Sequence, residues 1–382
     1  MGVAHGNAPS ELTESATGAR EAAPGGRRTS DRASMADVGR AAGVSAQTVS
    51  RYFSGVGYVS EPTRSRIANA VDKLGYRPNR AAGSLRARRT GTIGVLTVGE
   101  LVHGSAQILT GLSQGAQSLG QTLMHAQVEV GYEAEGWQEE VRRAVDHFLS
   151  APVDGIIVST SIPGVEEMLD VAREYVPVVN LSEQPRSIAD TVSTHSFTAG
   201  ADGTRHLISL GHTRIVHVAG PITRNEALER ERGYRLAMQE AGLSPVVLGT
   251  ARDWSSVPGY EAGRTVDPAS FTGVFAANDE LALGFLSAME ETGLKAPHDF
   301  SIVGVDDMPV AAYFSPPLTT MRLDFQGVGR TSLYMMHEMI RTGKSASRRV
   351  IEPELVVRRS TAPPRPRSLR QPTGPRSPAS KR

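Results

Sequence analysis

The spacing of apolar residues changes character along the chain. Between residues 34 and 74 apolar positions recur every three or four residues, as at Ile67, Val71 and Leu74, which predicts short helices. From residue 91 onward, short runs rich in β-branched residues alternate with helical stretches. Such runs are typical of strands in a parallel sheet that is covered on both faces. The pattern therefore predicts a small helical segment followed by a large α/β segment.

Three helices are predicted in the first segment. Each one follows a serine that can cap it: Ser34, Ser45 and Ser60. Asp37 completes a capping box with Ser34, and Gly43 and Gly75 end the first and third helices. The second helix has the sequence AQTVSRYF. Two short helices joined by a turn that contains a glycine form a helix-turn-helix.

The α/β segment contains six strand-like runs at regular intervals. In chain order they are 92–98, 154–160, 176–182, 214–220, 273–278 and 300–306. They form two blocks, about 91–190 and 191–330, which predicts two α/β lobes with a cleft between them. The carboxyl ends of strands that face a crevice are where open α/β sheets bind small ligands.

Composition separates the folded parts of the chain from its ends. Residues 1–33 and the Pro- and Arg-rich tail 361–382 hold few large apolar side chains, so we expect both to be disordered. Between them we assign a helical domain to 34–78, a hinge helix or linker to 79–90 and the two-lobed core to 91–360. The absence of cysteine, of an 18-residue apolar run and of a secretory leader predicts a cytoplasmic protein without membrane contact.

The net charge of +1 conceals an uneven distribution. Residues 34–90 contain ten Lys and Arg against three Asp and Glu, a net charge of +7. Residues 91–360 contain 21 against 33, a net charge of −12. A compact basic domain attached to an acidic body predicts that a polyanion binds the small domain alone.

The second helix presents a polar face suited to DNA. Positions 46, 47, 50 and 51 share this face, whose residues are Ala46, Gln47, Ser50 and Arg51. Gln can pair with adenine and Arg with guanine in the major groove of double-stranded DNA. Ser45 and Thr48, at the start of the helix, are expected to contact phosphates.

Residues 35–89 resemble the DNA-binding domain of the lactose/galactose-repressor family of transcriptional regulators. The matching landmarks include AGVS at 42–45, TVSR at 48–51, VS at 59–60 and LGY at 74–76, with PN at 78–79. The resemblance implies that Ala46, Gln47 and Arg51 contact bases and that Asn79 also contacts DNA. It further implies that Leu85, in a hinge helix, inserts into the minor groove as an apolar wedge.

The resemblance continues to about residue 358 through HLISLGHTRIVHVAGP, ANDELALG and FSIVGVDD. It implies a core similar to periplasmic sugar-binding proteins, with the effector in the cleft. The matching effector positions are Asn180, Arg230, Trp254, Asn278 and Asp306, with Asp279 as a helix cap and support. Asn180 and Leu323 depart from an aspartate and a glutamine of the lactose repressor, which leaves the sugar open.

Two motifs suggest enzymes and are set aside. Residues 111–115 fit a G-x-S-x-G nucleophile pattern but lie in an amphipathic helix, whereas that chemistry requires a strand-to-helix turn. Residues 343–345 lack the first glycine of a phosphate loop, because Glu338 occupies its position. We therefore expect no catalytic residue, no metal and no cofactor.

The sequence thus predicts an N-terminal all-α helix-turn-helix domain and a two-lobed α/β core with parallel sheets. The family resemblance implies the function of a homodimeric repressor of sugar-utilisation genes, which binds a near-palindromic operator and leaves it when a sugar binds. An activator or a regulator whose ligand tightens DNA binding remains open, as does a sugar-binding or sugar-modifying protein.

Overall fold

The computed structural model describes residues 33–77, 89–130, 136–160, 162–183, 189–249 and 251–365. The chain divides into two compact units, residues 1–83 and 84–382. Asn79, Leu85, the arm up to residue 32 and the tail from residue 366 lie outside the described residues. Within the described ranges, no helix is both long and apolar enough to span a bilayer.

The first unit contains the three predicted helices: α1 (Met35–Ala42), α2 (Ala46–Ser54) and α3 (Glu61–Leu74). Ser34 and Asp37 form the predicted capping box, and the Ser45 hydroxyl accepts a hydrogen bond from the Thr48 backbone N–H. Ser60 differs, since its hydroxyl donates to Thr63 Oγ1 over 2.9 Å and does not cap the backbone. The helices enclose a small apolar core that contains Val38, Val49, Ile67 and Tyr76.

The second unit consists of two lobes, each built on a six-stranded sheet. The first sheet has the order β11-β5-β4-β3-β1-β2 and the second β12-β10-β9-β8-β6-β7. All the pairings are parallel except that of β12 with β10. The strands of the first sheet are β1 (Thr92–Val98), β2 (Thr122–Val128), β3 (Gly155–Thr160), β4 (Val178–Leu181), β5 (Thr191–Ser193) and β11 (Arg349–Val350). Those of the second are β6 (Ile215–Val218), β7 (Val246–Leu248), β8 (Gly273–Ala276), β9 (Ser301–Asp306), β10 (Thr319–Arg322) and β12 (Glu354–Val356).

Helices cover both sheets. The first lobe contains α4 (His103–Leu119), α5 (Trp137–Ser150), α6 (Asp170–Arg173) and α11 (Phe325–Thr342). The second lobe contains α7 (Ser196–Ser209), α8 (Asn225–Glu240), α9 (Ser256–Thr265) and α10 (Asp279–Glu291). Short 3₁₀ helices span Val165–Leu169 and Pro309–Tyr313.

The chain passes between the lobes three times, which corrects the predicted division. It crosses after β5, after β10 and between β11 and β12. The boundary at residue 190 is therefore three residues early, because β5 pairs with β4 in the first sheet. The assignment of residues up to 330 to the second lobe is also wrong, since Val328 and Leu333 of α11 pack against Ile93 in the core of the first lobe.

Paired glycines bring three pairs of helices into close contact. A Cβ at any of these glycines would overlap a carbonyl oxygen of the facing helix, so the backbones approach only because it is absent. The pairs are Gly111 with Gly329 for α4 and α11, Gly200 with Gly233 for α7 and α8, and Gly259 with Gly284 for α9 and α10. Gly111 belongs to the G-x-S-x-G sequence, which lies within α4 and serves packing there.

Candidate DNA-reading surface and effector cleft

The polar face of α2 is accessible in the first unit. Ala46, Gln47 and Arg51 are exposed, Ser50 is half-buried, and Val49 is buried on the opposite side. The division of α2 into an outward and an inward face thus agrees with the prediction.

The Arg51 side chain is free to bind an acceptor from outside the unit. Among the residues that the structure describes, none accepts a hydrogen bond from its guanidinium. Gly57 lies beside the aliphatic part of the Arg51 side chain, since a Cβ added at Gly57 would lie 3.5 Å from Arg51 Cδ. Five unused donors on an exposed helix match the geometry needed to contact guanine.

The N-terminus of α2 is suited to a phosphate group. Ser45 and Thr48 lie here, with their hydroxyl oxygens 3.0 Å apart. Backbone N–H groups and the helix dipole favour an anion at such a position. The phosphate contacts of these two residues stay a prediction.

A cavity lies between the two lobes of the second unit, at the carboxyl ends of the strands. With its open mouth it encloses about 960 Å³. Val98, Thr160 and Leu181 line it from the first lobe, and Asn278 and Asp306 line it from the second. This is the expected place for a small ligand in open α/β sheets.

Arg230 and Asp306 form a buried ion pair in this cavity. Arg230 Nη2 donates to Asp306 Oδ1 over 3.2 Å, and Nη1 donates to the Ala277 carbonyl over 2.6 Å. Burial raises the pKa of Asp306, and the Arg230 charge opposes that rise. The backbone of Asp306 has a φ of 112°, a strained value that is uncommon outside functional sites. Arg230 Nε is buried and has no acceptor among the described residues.

Trp254 supplies an apolar surface next to this pair. The Arg230 guanidinium carbon lies 5.2 Å from the centre of its ring, and only 7% of the residue is exposed. A Cβ at Gly220 would lie 2.6 Å from the indole, so glycine is required for the ring to occupy this place. The indole lines the cavity, where it is available to an apolar ligand face.

Asn278 lines the cavity, as expected, and it also has the capping role that was expected of Asp279. Asn278 caps α10, because its Oδ1 accepts from the Leu281 N–H, and its Nδ2 donates to the Trp254 carbonyl. The prediction that Asp279 is the cap is therefore wrong. Asp279 accepts from Thr320 Oγ1 and the Met308 N–H, and burial raises its pKa to about 8.

Asn180 does not line the cavity among the residues that the structure describes. It is buried in β4, and its Oδ1 has no hydrogen-bond partner within the described ranges. Successive side chains of a strand point to opposite sides, and Leu181 is the neighbour that lines the cavity. The effector contact at Asn180 stays a prediction.

The start of α8 contributes two residues that the sequence analysis missed. Arg224 Nη2 donates to the Val130 carbonyl of the first lobe over 2.7 Å and lies 3.8 Å from Glu100 Oε1. Glu226 also lines the cavity, and burial raises its pKa to about 7. Both follow β6, so their position after a strand was the available signal.

Three further carboxyl and hydroxyl groups line the cavity. Glu183 accepts from the backbone N–H groups of Thr194 and Ser196 and so fixes the start of α7. The Ser196 hydroxyl is buried without a partner among the described residues. Burial and the charge of Asp306 raise the pKa of Glu280.

Comparisons with known proteins agree with both units. Residues 34–79 match the model of the bacterial regulatory proteins of the lacI family, and residues 204–361 match that of the periplasmic binding protein-like domain. The HTH-type transcriptional repressor PurR of Vibrio campbellii is 34% identical over 339 residues, which cover 85% of this chain and 98% of that protein. PurR of Haemophilus influenzae is 30% identical over 86% of this chain and 98% of its own length.

Solved structures show the same architecture. The Lac repressor dimer bound to operator and the anti-inducer ONPF has a TM-score of 0.77 and 29% identity, over 86% of this chain and 99% of that one. The complex of the regulator CelR with cellobiose has a TM-score of 0.62 and 27% identity, over 86% of this chain and all of that one. These matches confirm the predicted fold and the prediction that the protein is not an enzyme. The chain belongs to the lacI family of bacterial regulatory proteins and is a DNA-binding transcriptional repressor.

Proposed function

We propose that the protein acts as a homodimer in the cytoplasm, represses genes for sugar utilisation and leaves its operator when a sugar binds in the cleft. The observation that carries the proposal is the composition of the cavity. Trp254 offers an apolar face, while Arg230 and Asp306 offer a donor and an acceptor for hydroxyl groups. The regulator CelR, a relative of the same fold, forms a complex with cellobiose, which supports a sugar here.

The polar face of α2 supports recognition of a specific DNA sequence. In this proposal Gln47 and Arg51 contact base edges in the major groove, and Ala46 and Ser50 pack against the same base edges. Ser45 and Thr48 position the helix through phosphates. Asn79 and Leu85 are assigned to DNA on the strength of the family resemblance.

An apolar surface on the second lobe supports a dimer. It consists of Val257 on α9, Leu283 on α10, and Val310 and Tyr313 on the 3₁₀ helix, all exposed in the single chain. The helices α9 and α10 touch at Ser256 and Gly284, the neighbours of the first two residues. Exposed apolar surface of this kind marks an interface. The Lac repressor, a relative of the same fold, binds its operator as a dimer. Two α2 helices would then contact the two halves of a near-palindrome.

A sugar in the cleft would act on the relative position of the two lobes. The chain connects them at three crossings, and Arg224 joins them across the cavity. A sugar that contacts both lobes favours one relative position of the lobes over others, which changes the dimer contacts. A sugar that weakens DNA binding must itself bind more weakly when DNA is present, by the same factor.

The test is the affinity of the full chain for its selected operator, measured by fluorescence anisotropy with and without a panel of sugars. The proposal predicts that one sugar weakens operator binding by at least about tenfold, which is a coupling of about 1.4 kcal/mol. A sugar that tightens binding would establish the opposite regulatory sign. If no sugar changes the affinity, the proposed effector class is wrong.

A further inference from the structure

We propose that the sugar taken by this cleft carries a positively charged nitrogen, as an amino sugar does. The inference rests on the proposed function of the cleft as an effector site and narrows its ligand class. It follows from which polar groups of the cavity are already engaged within the protein and which are not.

The unengaged groups are mostly carboxylates. Within the described ranges, no other residue donates a hydrogen bond to Glu226 or Glu280, and Asp306 uses only one of its two oxygens, for Arg230. Glu226 faces the charges of Arg230, Arg224 and Glu183, and Glu280 faces those of Asp306, His103 and Asp253. A carboxylate accepts hydrogen bonds, and a nearby positive charge favours its ionised form, so a cationic donor from a ligand suits this part of the cavity.

The donors of the cavity are, in contrast, partly engaged within the protein. Both terminal nitrogens of Arg224 donate to oxygens of the protein, as do both terminal nitrogens of Arg230. The Asn278 amide donates to the Trp254 carbonyl. Of the guanidinium nitrogens, Arg230 Nε is the one that lacks an acceptor among the described residues. Each of these terminal nitrogens carries a second N–H group, which can donate to a hydroxyl oxygen of the ligand.

The charges of the cavity point the same way. The described residues that line it include the acidic Glu100, Glu183, Glu226, Glu280 and Asp306 against the basic Arg224 and Arg230, together with His103. A phosphorylated or carboxylated sugar would add a negative charge to this excess. A cation compensates part of the cost of holding carboxylates away from water, which a neutral ligand cannot do.

The remaining lining fits the rest of such a ligand. The hydroxyls of Ser193, Thr194 and Ser196 line the same cavity as the indole of Trp254. Hydroxyls both donate and accept, which suits the hydroxyl groups of a sugar, and the indole suits its apolar face. Glu226, in the first turn of α8, is the carboxylate assigned to the nitrogen, because no described arginine forms a direct ion pair with it.

The experiment compares matched sugars that differ only by an amine in place of a hydroxyl. Each sugar is titrated into the full chain by calorimetry at about pH 7. The matched pairs are glucosamine with glucose, galactosamine with galactose, and mannosamine with mannose. Glucose 6-phosphate is titrated as an anionic sugar. The inference predicts that at least one aminated sugar binds about tenfold or more tightly than its hydroxyl counterpart. It also predicts that the phosphate binds more weakly than glucose.

Two variants locate the effect. Glu226→Gln keeps the size of the side chain and removes its charge, so it is expected to abolish the preference for the amine over the hydroxyl counterpart. Glu280→Gln removes the charge of a second carboxylate in the cavity. Glu139→Gln is the matched control, because Glu139 is an exposed carboxylate of α5 that does not line the cavity.

The inference is overturned if no aminated sugar binds more tightly than its counterpart, or if the preference survives in both cavity variants. Either result leaves the proposed function intact when a neutral sugar still changes operator affinity. Conversely, an aminated sugar that binds through Glu226 without changing operator affinity would support the inference and contradict the proposed control of DNA binding.

Discussion

At the scale of single residues, a substitution of Arg51 distinguishes the recognition of bases from the general electrostatic attraction to DNA. Its guanidinium is exposed and unused within the described residues. We expect Arg51→Ala to lower affinity for the operator by about 1–3 kcal/mol and to reduce discrimination at one base position, because a bidentate contact with guanine is lost. Operator and single-base variants are compared by competition binding.

The control for this prediction is Arg142→Ala, an exposed arginine of the core that pairs with Glu139. It removes the same charge from the chain and should leave operator affinity unchanged. An Arg51→Ala protein that keeps its full preference at every base position would contradict the assigned role.

His217 makes stability depend on pH. It is fully buried between Tyr234 and Phe275, with ring centres 5.1 Å away on each side, and burial lowers its pKa to about 4. The unfolded chain takes up a proton near pH 6.5 and the folded one near pH 4, so stability is complete above pH 6.5 and declines as the pH falls. The expected loss approaches about 3 kcal/mol at pH 4.

The variant His217→Phe tests this assignment. It preserves the ring stack and removes the titrating group, so its denaturation curve should lose this part of the slope between pH 6.5 and 4. Its stability at neutral pH is expected to fall, since the hydrogen bond to the Phe275 carbonyl is lost. An unchanged pH profile would show that another group is responsible.

The site shows which residues a sequence can and cannot place. Arg230, Trp254 and Asp306 line the cavity as the family resemblance implied. Asn180 does not line the cavity, because neighbouring side chains of a strand point to opposite sides. Glu226 was missed because the significance of a lone glutamate at a helix start depends on which groups surround it after folding.

At the scale of elements, the crossing of α7 and α8 determines where Arg230 lies. The Gly200 backbone packs directly against the Arg230 carbonyl. Gly200→Ala must push the helices apart, so we expect a loss of about 1–3 kcal/mol in stability. Effector binding should weaken as well, since Arg230 would move relative to Asp306. Urea denaturation and calorimetry measure the two effects.

Gly263→Ala is the control for the crossing. An added Cβ at Gly263 would lie 2.7 Å from Ala288 Cβ, at the packing of α9 and α10 in the same lobe. We expect it to reduce stability and to leave effector affinity nearly unchanged. If both variants reduce effector affinity equally, Gly200 has no specific role in positioning Arg230.

The elements were predicted unevenly. Long apolar strands such as β1 and β9 were located to within a residue or two, because burial on both faces demands continuous apolar runs. The strand β2 was missed because its pattern alternates, and β5, β7, β11 and β12 because they contain only two or three residues. The four-residue strand β10 was also missed. The return of α11 to the first lobe depends on long-range packing, which no local pattern specifies.

At the scale of the whole molecule, dimer formation should depend on the apolar surface around Leu283. We expect Leu283→Glu to raise the dimer dissociation constant by at least about tenfold, because a buried charge without a partner is costly. Operator affinity should fall with it, since two linked α2 helices bind more tightly than one. Sedimentation velocity measures the first effect and anisotropy the second.

Tyr175→Glu is the matched control, because Tyr175 is 71% exposed and belongs to the first lobe. It introduces the same charge outside the assigned surface and should leave the chain dimeric. A Leu283→Glu protein that remains dimeric at low concentration would place the interface elsewhere.

The most direct test of the whole account is selection of DNA by the full chain from a pool of random duplexes at low ionic strength. The account predicts enrichment of a near-palindromic sequence. It also predicts that affinity for this sequence exceeds that for random duplex by at least about a thousandfold and falls steeply with salt. Equal binding of every duplex, or no binding at low salt, would contradict it.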